Sequence, residues 1–337
     1  MPKIGRVDPS APKRNVCVRS TRICAIATQL KAVTQVDTES SPTAAERSVS
    51  SRDIAVLIGI NLLWGFNLVA NKVGVNELPP FLFSAMRLGL LALILSPLLR
   101  VHRGQMKNVM MAAGLSGAAT FGLLTLGIAI SADVSTVAIA TQLSVPFTTL
   151  LSVVLLGEII HWRRILGITL AFLGVMVIGF DPHVFSYWPG LLCVVLSSFA
   201  SALGLIYIKR LQGIRPLQTQ AWLASIGAPI LLITSALLEW HRWPQVPHAH
   251  LQAWGGLLFT ALGSSLIAHS VLFYLIGRYP VSSVSPFTLL SPIFSIMFGV
   301  TLLHDHLTPR MMVGSTITLF GVLIVAVRDR RIVDTGS

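Results

Sequence analysis

Charge is scarce in this chain: of its 337 residues only 11% are Asp, Glu, Lys or Arg, while 53% are hydrophobic and the mean hydropathy is +0.75. Soluble domains carry about 25% charged residues, so too little charge is present to cover a water-exposed surface of this size. That excludes a large soluble enzyme. Cysteine is nearly absent too. Cys17, Cys24 and Cys193 form no CxxC pair and join no His/Cys cluster at zinc spacing, which argues against a disulfide framework and against a metal site. No G-x-x-x-x-G-K-S/T run occurs, so ATP is not the direct energy source of any activity. Acids are the scarcer sign, 13 against 25 bases for a net charge of +12. Such basicity points to nucleic acid, an anionic membrane surface or an acidic partner, and the placement of the charges decides between them.

What the chain has in abundance is long apolar runs. Ten are read, at 54–75, 80–99, 108–130, 134–156, 165–180, 188–208, 217–238, 252–276, 281–303 and 309–327, most of them near the ~20 residues that cross a bilayer as a helix. In hydrocarbon every backbone amide must be satisfied within its own segment, and the period-two alternation of a barrel strand is missing, so the runs predict helices. The fold class is therefore all-α integral membrane, with ten transmembrane helices. Residues 1–53, with nine bases and five acids, read as a disordered polar N-terminal tail; a targeting segment or a misassigned start are the other readings. Residues 328–337 form a second polar tail.

With the amino terminus in the cytoplasm, the bases near membrane ends divide fourteen to three: Arg47, Arg52, Arg100, Arg103, Lys107, Arg163, Arg164, Lys209, Arg210, Arg215, Arg278, Arg328, Arg330 and Arg331 inside, and Lys72, Arg242 and Arg310 outside. This positive-inside bias places both termini in the cytoplasm of a cell (inner) membrane protein. The basicity is a topology signal, and nucleic acid is dropped as a partner.

An internal repeat follows at a constant offset of 147 residues: Ser144 meets Ser291, Glu158 meets Asp305, Gly167 meets Gly314, Thr169 meets Thr316 and Gly174 meets Gly321. Pro146 and Pro292 precede the acids, one residue out of register. The halves, 54–180 and 188–327, hold five spans each. An odd number makes the second half enter the membrane from the opposite side, so the repeats are inverted. Inverted repeats with interrupted helices predict a transporter whose site lies between the halves near the midplane.

These residues resemble the EamA-type branch of the drug/metabolite transporter superfamily. The marks are Trp64-Gly65-Phe66-Asn67 with Lys72, Pro79-Pro80, Arg87 and Leu156-Gly157-Glu158 with Gly167 and Gly174 in the first half. In the second they are Arg215-Pro216, Gly277-Arg278-Tyr279 and Leu303-His304-Asp305-His306-Leu307 with Gly314 and Gly321. The resemblance implies a ten-helix secondary carrier, an exporter of amino acids or related metabolites. The sequence departs from the family at Asp305, set between two histidines, and at His269, where a tyrosine is common.

Candidate site residues come from polar groups inside spans. Asn61, Trp64, Asn67 and Asn71 share one face of span one, lining a cavity or bonding another helix. Arg87 lies well inside span two with no acid at that depth in any span; its fork suits a carboxylate or phosphate, and snorkelling or pairing with Glu77 is the alternative. His269, mid-span in helix eight beside Ser264, Ser265 and Ser270 with Tyr274 further on, offers substrate contact or proton coupling, or neutral packing. Gln142, one turn before Pro146, is a further substrate contact, and Ser285 and Ser291 are similar. Glu158 and Asp305 are read as gating groups, or as structural groups that cap the following helix or pair with Arg164 and Arg310. Gly114, Gly117, Gly167 and Gly174 allow close helix approach. No cofactor and no metal are expected; the partners are a small-molecule substrate and the lipid bilayer, with proton coupling and a homodimer left open. An alternating-access carrier is preferred over an intramembrane enzyme, which lacks mid-span acids, and over a scaffold or receptor. An organic-phosphate or nucleotide-sugar exchanger is the nearer rival.

Overall fold

A backbone that must satisfy its own hydrogen bonds in lipid has one open-ended solution, the helix, and the described spans adopt it. The computed structural model describes residues 50–157, 162–279 and 284–327; Glu158 and the tail residues 1–49 and 328–337 lie outside them. Among the described residues, eight helices are long and apolar enough to cross a membrane, and two shorter apolar helices complete ten. We number them α1 (Ser51–Glu77), α2 (Pro80–Leu95), α3 (Met106–Ile130), α4 (Val134–Leu156), α5 (Trp162–Gly179), α6 (Trp188–Lys209), α7 (Pro216–Leu238), α8 (from Leu251 to Arg278), α9 (Leu290–Leu302) and α10 (Pro309–Val327). Large apolar side chains face outward, among them Val154 at 76%, Leu93 at 74% and Leu237 at 73% exposure. Water would penalise such a surface, and lipid accepts it.

The repeat is visible in the irregularities as well as in the helices. Segment Ala113–Ala119 of α3 is π-helical, and so is Phe259–Ala268 of α8; the 147-residue offset carries 113–119 onto 260–266. Within α4 the helix breaks at Gln142–Leu143, between Val134–Thr141 and Ser144–Leu156. At the equivalent place a 3-10 turn, Ser285–Leu289, precedes α9. Pro146 and Pro292 each fall in the first turn after the irregularity, where a missing N–H costs nothing. Each repeat thus deforms its third and fourth helices at matching points, and such departures from α geometry concentrate where function needs them.

Glycines fasten the fifth helix of each repeat to the other. A Cβ on Gly167 would lie 2.8 Å from the Gly321 carbonyl oxygen, and one on Gly174 would lie 2.6 Å from that of Gly314. Gly117 likewise leaves room for the Leu223 carbonyl, whereas a Cβ on Gly114 would meet nothing, so Gly114 is not part of a close approach. Without a hydrophobic force between helices in lipid, this backbone contact is a main source of association. Gly174→Val therefore overpacks the α5–α10 seam at a cost of about 1–3 kcal/mol or more, and the detergent-solubilised variant is expected to unfold at lower temperature. Gly114→Val, facing open space, should melt with the wild type.

Candidate functional site

Arg87 is carried by α2 into the helix bundle, where only 3% of it is exposed. It does not snorkel, and Glu77 is bound elsewhere, by the His250 amide. Its Nε and Nη2 donate to the Ser265 hydroxyl at 3.1 and 2.8 Å, and its guanidinium stacks 4.8 Å from the Phe121 ring centre. Ser265 belongs to the π-helical part of α8 and passes its own proton to the Thr260 carbonyl at 3.0 Å. Gln220 of α7 donates Nε2 to the Ser265 carbonyl at 2.5 Å. His269, one helical turn on, sits with Nδ1 2.8 Å from the Ser264 carbonyl and meets Trp64 of α1 edge-on at 5.2 Å. Three helices, α1, α2 and α7, thus converge on the π-helical stretch of α8 and the residue that ends it.

Several polar atoms in this part of the bundle are buried without a hydrogen-bond partner: Trp64 Nε1, Asn67 Oδ1, Asn61 Oδ1 and Gln220 Oε1. An unmade bond at a buried group costs about 1–3 kcal/mol, which makes this donor and these three acceptors candidate contacts. Asn61 and Asn71 spend their amide protons on their own helix, at Leu57 O (2.7 Å) and Asn67 O (2.6 Å). The arrangement offers a cation and an indole donor for an anion, and amide oxygens for an ammonium or hydroxyl. Gln220 was not singled out in the sequence; it is the second of two amides early in the span, after Gln218, which bonds the Arg215 amide at the helix start.

Other expected residues lie apart from this cluster. Tyr274 is 63% exposed and lines a cleft of about 340 Å³ with Ser50, Asp53 and Arg278. Gln142 sits at the break in α4. Asp305 does not pair with Arg310, which donates to the Phe180 carbonyl. Instead Asp305 Oδ2 accepts from the Ser135 amide at 2.7 Å and the Ser135 hydroxyl at 2.6 Å, capping the start of α4 from the other repeat.

Around Asp305, the membrane end with few bases also holds the carboxylates Asp133, Glu239 and Asp181, which spacing along the sequence does not single out. Asp133 accepts from Tyr187 Oη at 2.7 Å and the His306 amide at 3.2 Å, with His183 Nε2 at 2.9 Å. Lys72 donates to the Ser131 and Ile128 carbonyls at 2.6 and 3.0 Å. Glu239 accepts from the Phe81 and Leu82 amides at the start of α2. Asp181, in the α5–α6 connection, accepts from the Thr308 hydroxyl and the His183 amide. Burial opposes ionisation of Asp181, yet Thr308, the His183 amide and nearby Arg310 together hold its carboxyl below the ordinary carboxylate range. A lowered value means the stabilisation is whole above about pH 4 and is lost as the pH falls through the folded-state value. Asp181→Asn should therefore remove part of the acid sensitivity of thermal unfolding below pH 4. Parallel melting-versus-pH curves for wild type and variant would contradict this.

Comparison with known proteins fits this geometry. The EamA-like transporter family matches residues 52–180 and 188–327, once for each repeat. The chain belongs to that family. Among relatives of this EamA-like transporter, the uncharacterized transporter YoaV of Bacillus subtilis is 26% identical over 282 residues, covering 80% of this chain and 94% of the relative. A protein of Escherichia coli named a "probable amino-acid metabolite efflux pump" is 25% identical over 306 residues, covering 86% of this chain and all of the relative. One crystal structure superposes with TM-score 0.57 at 18% identity, covering 84% of this chain and 99% of the other, which shows a shared fold. The chain is a multi-pass membrane transporter.

Proposed function

We propose that this transporter carries small carboxylate-bearing solutes, amino acids or their derivatives, outward across the membrane by alternating access of its two inverted repeats. The observation that carries the substrate class is Arg87, a buried guanidinium that donates to the neutral Ser265 hydroxyl and stacks on the Phe121 ring. A buried charge is costly until it meets its opposite, and a substrate carboxylate supplies one. Trp64 and Asn67 complete the pocket in this reading, and Gln220 Oε1 and Asn67 Oδ1 receive the ammonium. His269, against the same π-turn, is placed to exchange a proton as the solute passes. The relative named as an amino-acid metabolite efflux pump favours both the class and the direction. An organic-phosphate or nucleotide-sugar exchanger needs more than one fully buried cation, and among the described residues Arg87 is the one Lys or Arg buried in that way.

Alternating access is supported by an asymmetry between equivalent helices. Along α4, Ser144, Thr148 and Ser152 line an open cleft of about 470 Å³. The offset carries Thr148 onto Ser295 of α9, which is buried and donates to the Gly65 carbonyl at 3.2 Å, and Ser152 onto Gly299, where an added Cβ would meet the Asp305 carboxylate and the Ser135 hydroxyl. In the proposed cycle α4 and α9 take turns, one facing an open cleft while the other is packed. Asp305 is then a gate on the closed side. In liposomes loaded with labelled amino acids, with and without an imposed pH gradient, the protein should move at least one of them faster than empty vesicles do. Failure to move any solute under either condition would defeat the carrier reading.

A further inference from the structure

At the base-poor end one carboxylate ties three connections together, and a histidine is among its partners. Asp133, in the α3–α4 connection, is 3% exposed. From the α5–α6 connection, Tyr187 donates its hydroxyl to Asp133 at 2.7 Å, and His183 sets Nε2 2.9 Å from Oδ2. From the α9–α10 connection, the His306 amide donates to Oδ1 at 3.2 Å, and the His306 ring meets the His183 ring edge-on at 5.9 Å. Connections of both repeats thus share Asp133, and separating them at this end breaks bonds to it. A carboxylate only accepts, so Nε2 of His183 carries the proton of their hydrogen bond. Nδ1 has no hydrogen bond among the described residues, and the side chain is 37% exposed. A second proton can therefore reach Nδ1 from water without disturbing the contact.

The other charged groups around the pair are Asp181, which accepts from the His183 amide, Asp305 in the α9–α10 connection, and two bases. Arg310 lies near Asp181, and Lys72 of α1 is attracted by Asp133 and Asp305. His304, the third histidine of this end, has no ring contact with His183 or His306 among the described residues. Three carboxylates against two bases leave one negative charge while the rings are neutral. One proton balances it, and a second would set two positive rings edge to edge. We propose that His183 is a proton sensor that tightens the closure of the base-poor end. Acid on that side charges the ring, turns its hydrogen bond to Asp133 into an ion pair, and holds the α5–α6 connection in place. The added attraction exists while the ring is charged and Asp133 is ionised, and it fades as rising pH discharges the ring. The inference rests on the alternating-access reading for what closure does, and its test reads accessibility in place of transport.

The full-length chain, with Cys17, Cys24 and Cys193 replaced by serine, carries Ser295→Cys as reporter, at a position only 1% exposed. Its labelling by a hydrophilic methanethiosulfonate is timed in detergent at about pH 5.5 and about pH 8, on either side of the histidine range. Each rate is divided by that of the same protein with His183→Gln at the same pH, which cancels the pH dependence of the thiol itself. Glutamine keeps a neutral donor for Asp133 and gains no charge. The quotient should fall about threefold on acidification, the size of a part-exposed ion pair. His183→Arg, charged at both pH values, should label slowly at both, and it serves as the reference if the glutamine variant does not fold. With His306→Gln the threefold response should persist. A quotient that does not change with pH, or a response that vanishes in His306→Gln with His183 intact, would overturn the proposal. If the quotient falls while no amino acid moves in the liposome assay, the sensor stands and the substrate reading falls.

Discussion

Arg87→Gln is expected to lower kcat/KM for a carboxylate-bearing solute by about 100-fold, equivalent to about 2.7 kcal/mol of lost transition-state interaction. The size follows from the site. Glutamine keeps a donor for the Ser265 hydroxyl but removes the charge, so a substrate carboxylate enters the bundle without a counter-ion. Arg87 also fastens α2 to the π-turn of α8, and loss of that fastening alone would reduce activity. Ser265→Ala separates the two. It removes the same hydrogen bonds while leaving the guanidinium, so it should cost transport roughly tenfold at most, with KM little changed. Arg87→Lys should retain part of the affinity for carboxylates, since it keeps the charge and loses the fork. Equal losses in Arg87→Gln and Ser265→Ala would make Arg87 a helix fastener. Transport by Arg87→Gln at the wild-type rate would remove it from the site.

Asp305→Asn is expected to open the closed end. Asp305 accepts two short bonds from Ser135, and hydrogen bonds to a charged group contribute about 1.5–3 kcal/mol each. The amide retains one acceptor without the charge, so a net loss of about 1.5–3 kcal/mol is expected, a shift of roughly 10- to 150-fold in the balance of closed and open forms. Ser295, buried beneath this closure at 1% exposure, reports the change: Ser295→Cys should react with an impermeant thiol reagent at least tenfold faster in the Asp305→Asn background. Solute should also leak down its gradient faster. An unchanged labelling rate would make Asp305 a cap on α4 and nothing more.

Much of the fold was legible because the bilayer imposes one length scale and one backbone solution. Apolar runs of the right length give the helices, and the offset of 147 gives their inverted pairing. The register extends to backbone geometry. Gly157 and His304, chemically unlike, occupy one repeat position, and both are left-handed, at φ 70° and 58°. Glycine adopts that conformation freely and histidine does not, so the match was hidden in residue type. Arg87 stood out as a mid-span charge, but its partners did not, because a π-turn has no sequence signature and decides which carbonyls and hydroxyls of α8 face inward. Gln220 and Ser265 reach the cluster through that turn. Tyr274 shares a helix with His269 yet lines a different cleft. Asp305 looked local to Arg310, whereas its bonds run to Ser135, 170 residues away in sequence. Closure of a membrane end is a long-range matter that spacing along the chain does not record.

The glycine seam between α5 and α10 has a consequence for how the protein is made. Its two faces, Gly167 and Gly174 against Gly321 and Gly314, are separated by four intervening spans. During synthesis α5 enters the bilayer long before its partner exists, so the first five helices wait with an unfilled backbone groove facing lipid. Assembly is complete only when the last span arrives, and a chain truncated before α10 is expected to be a substrate for membrane proteases.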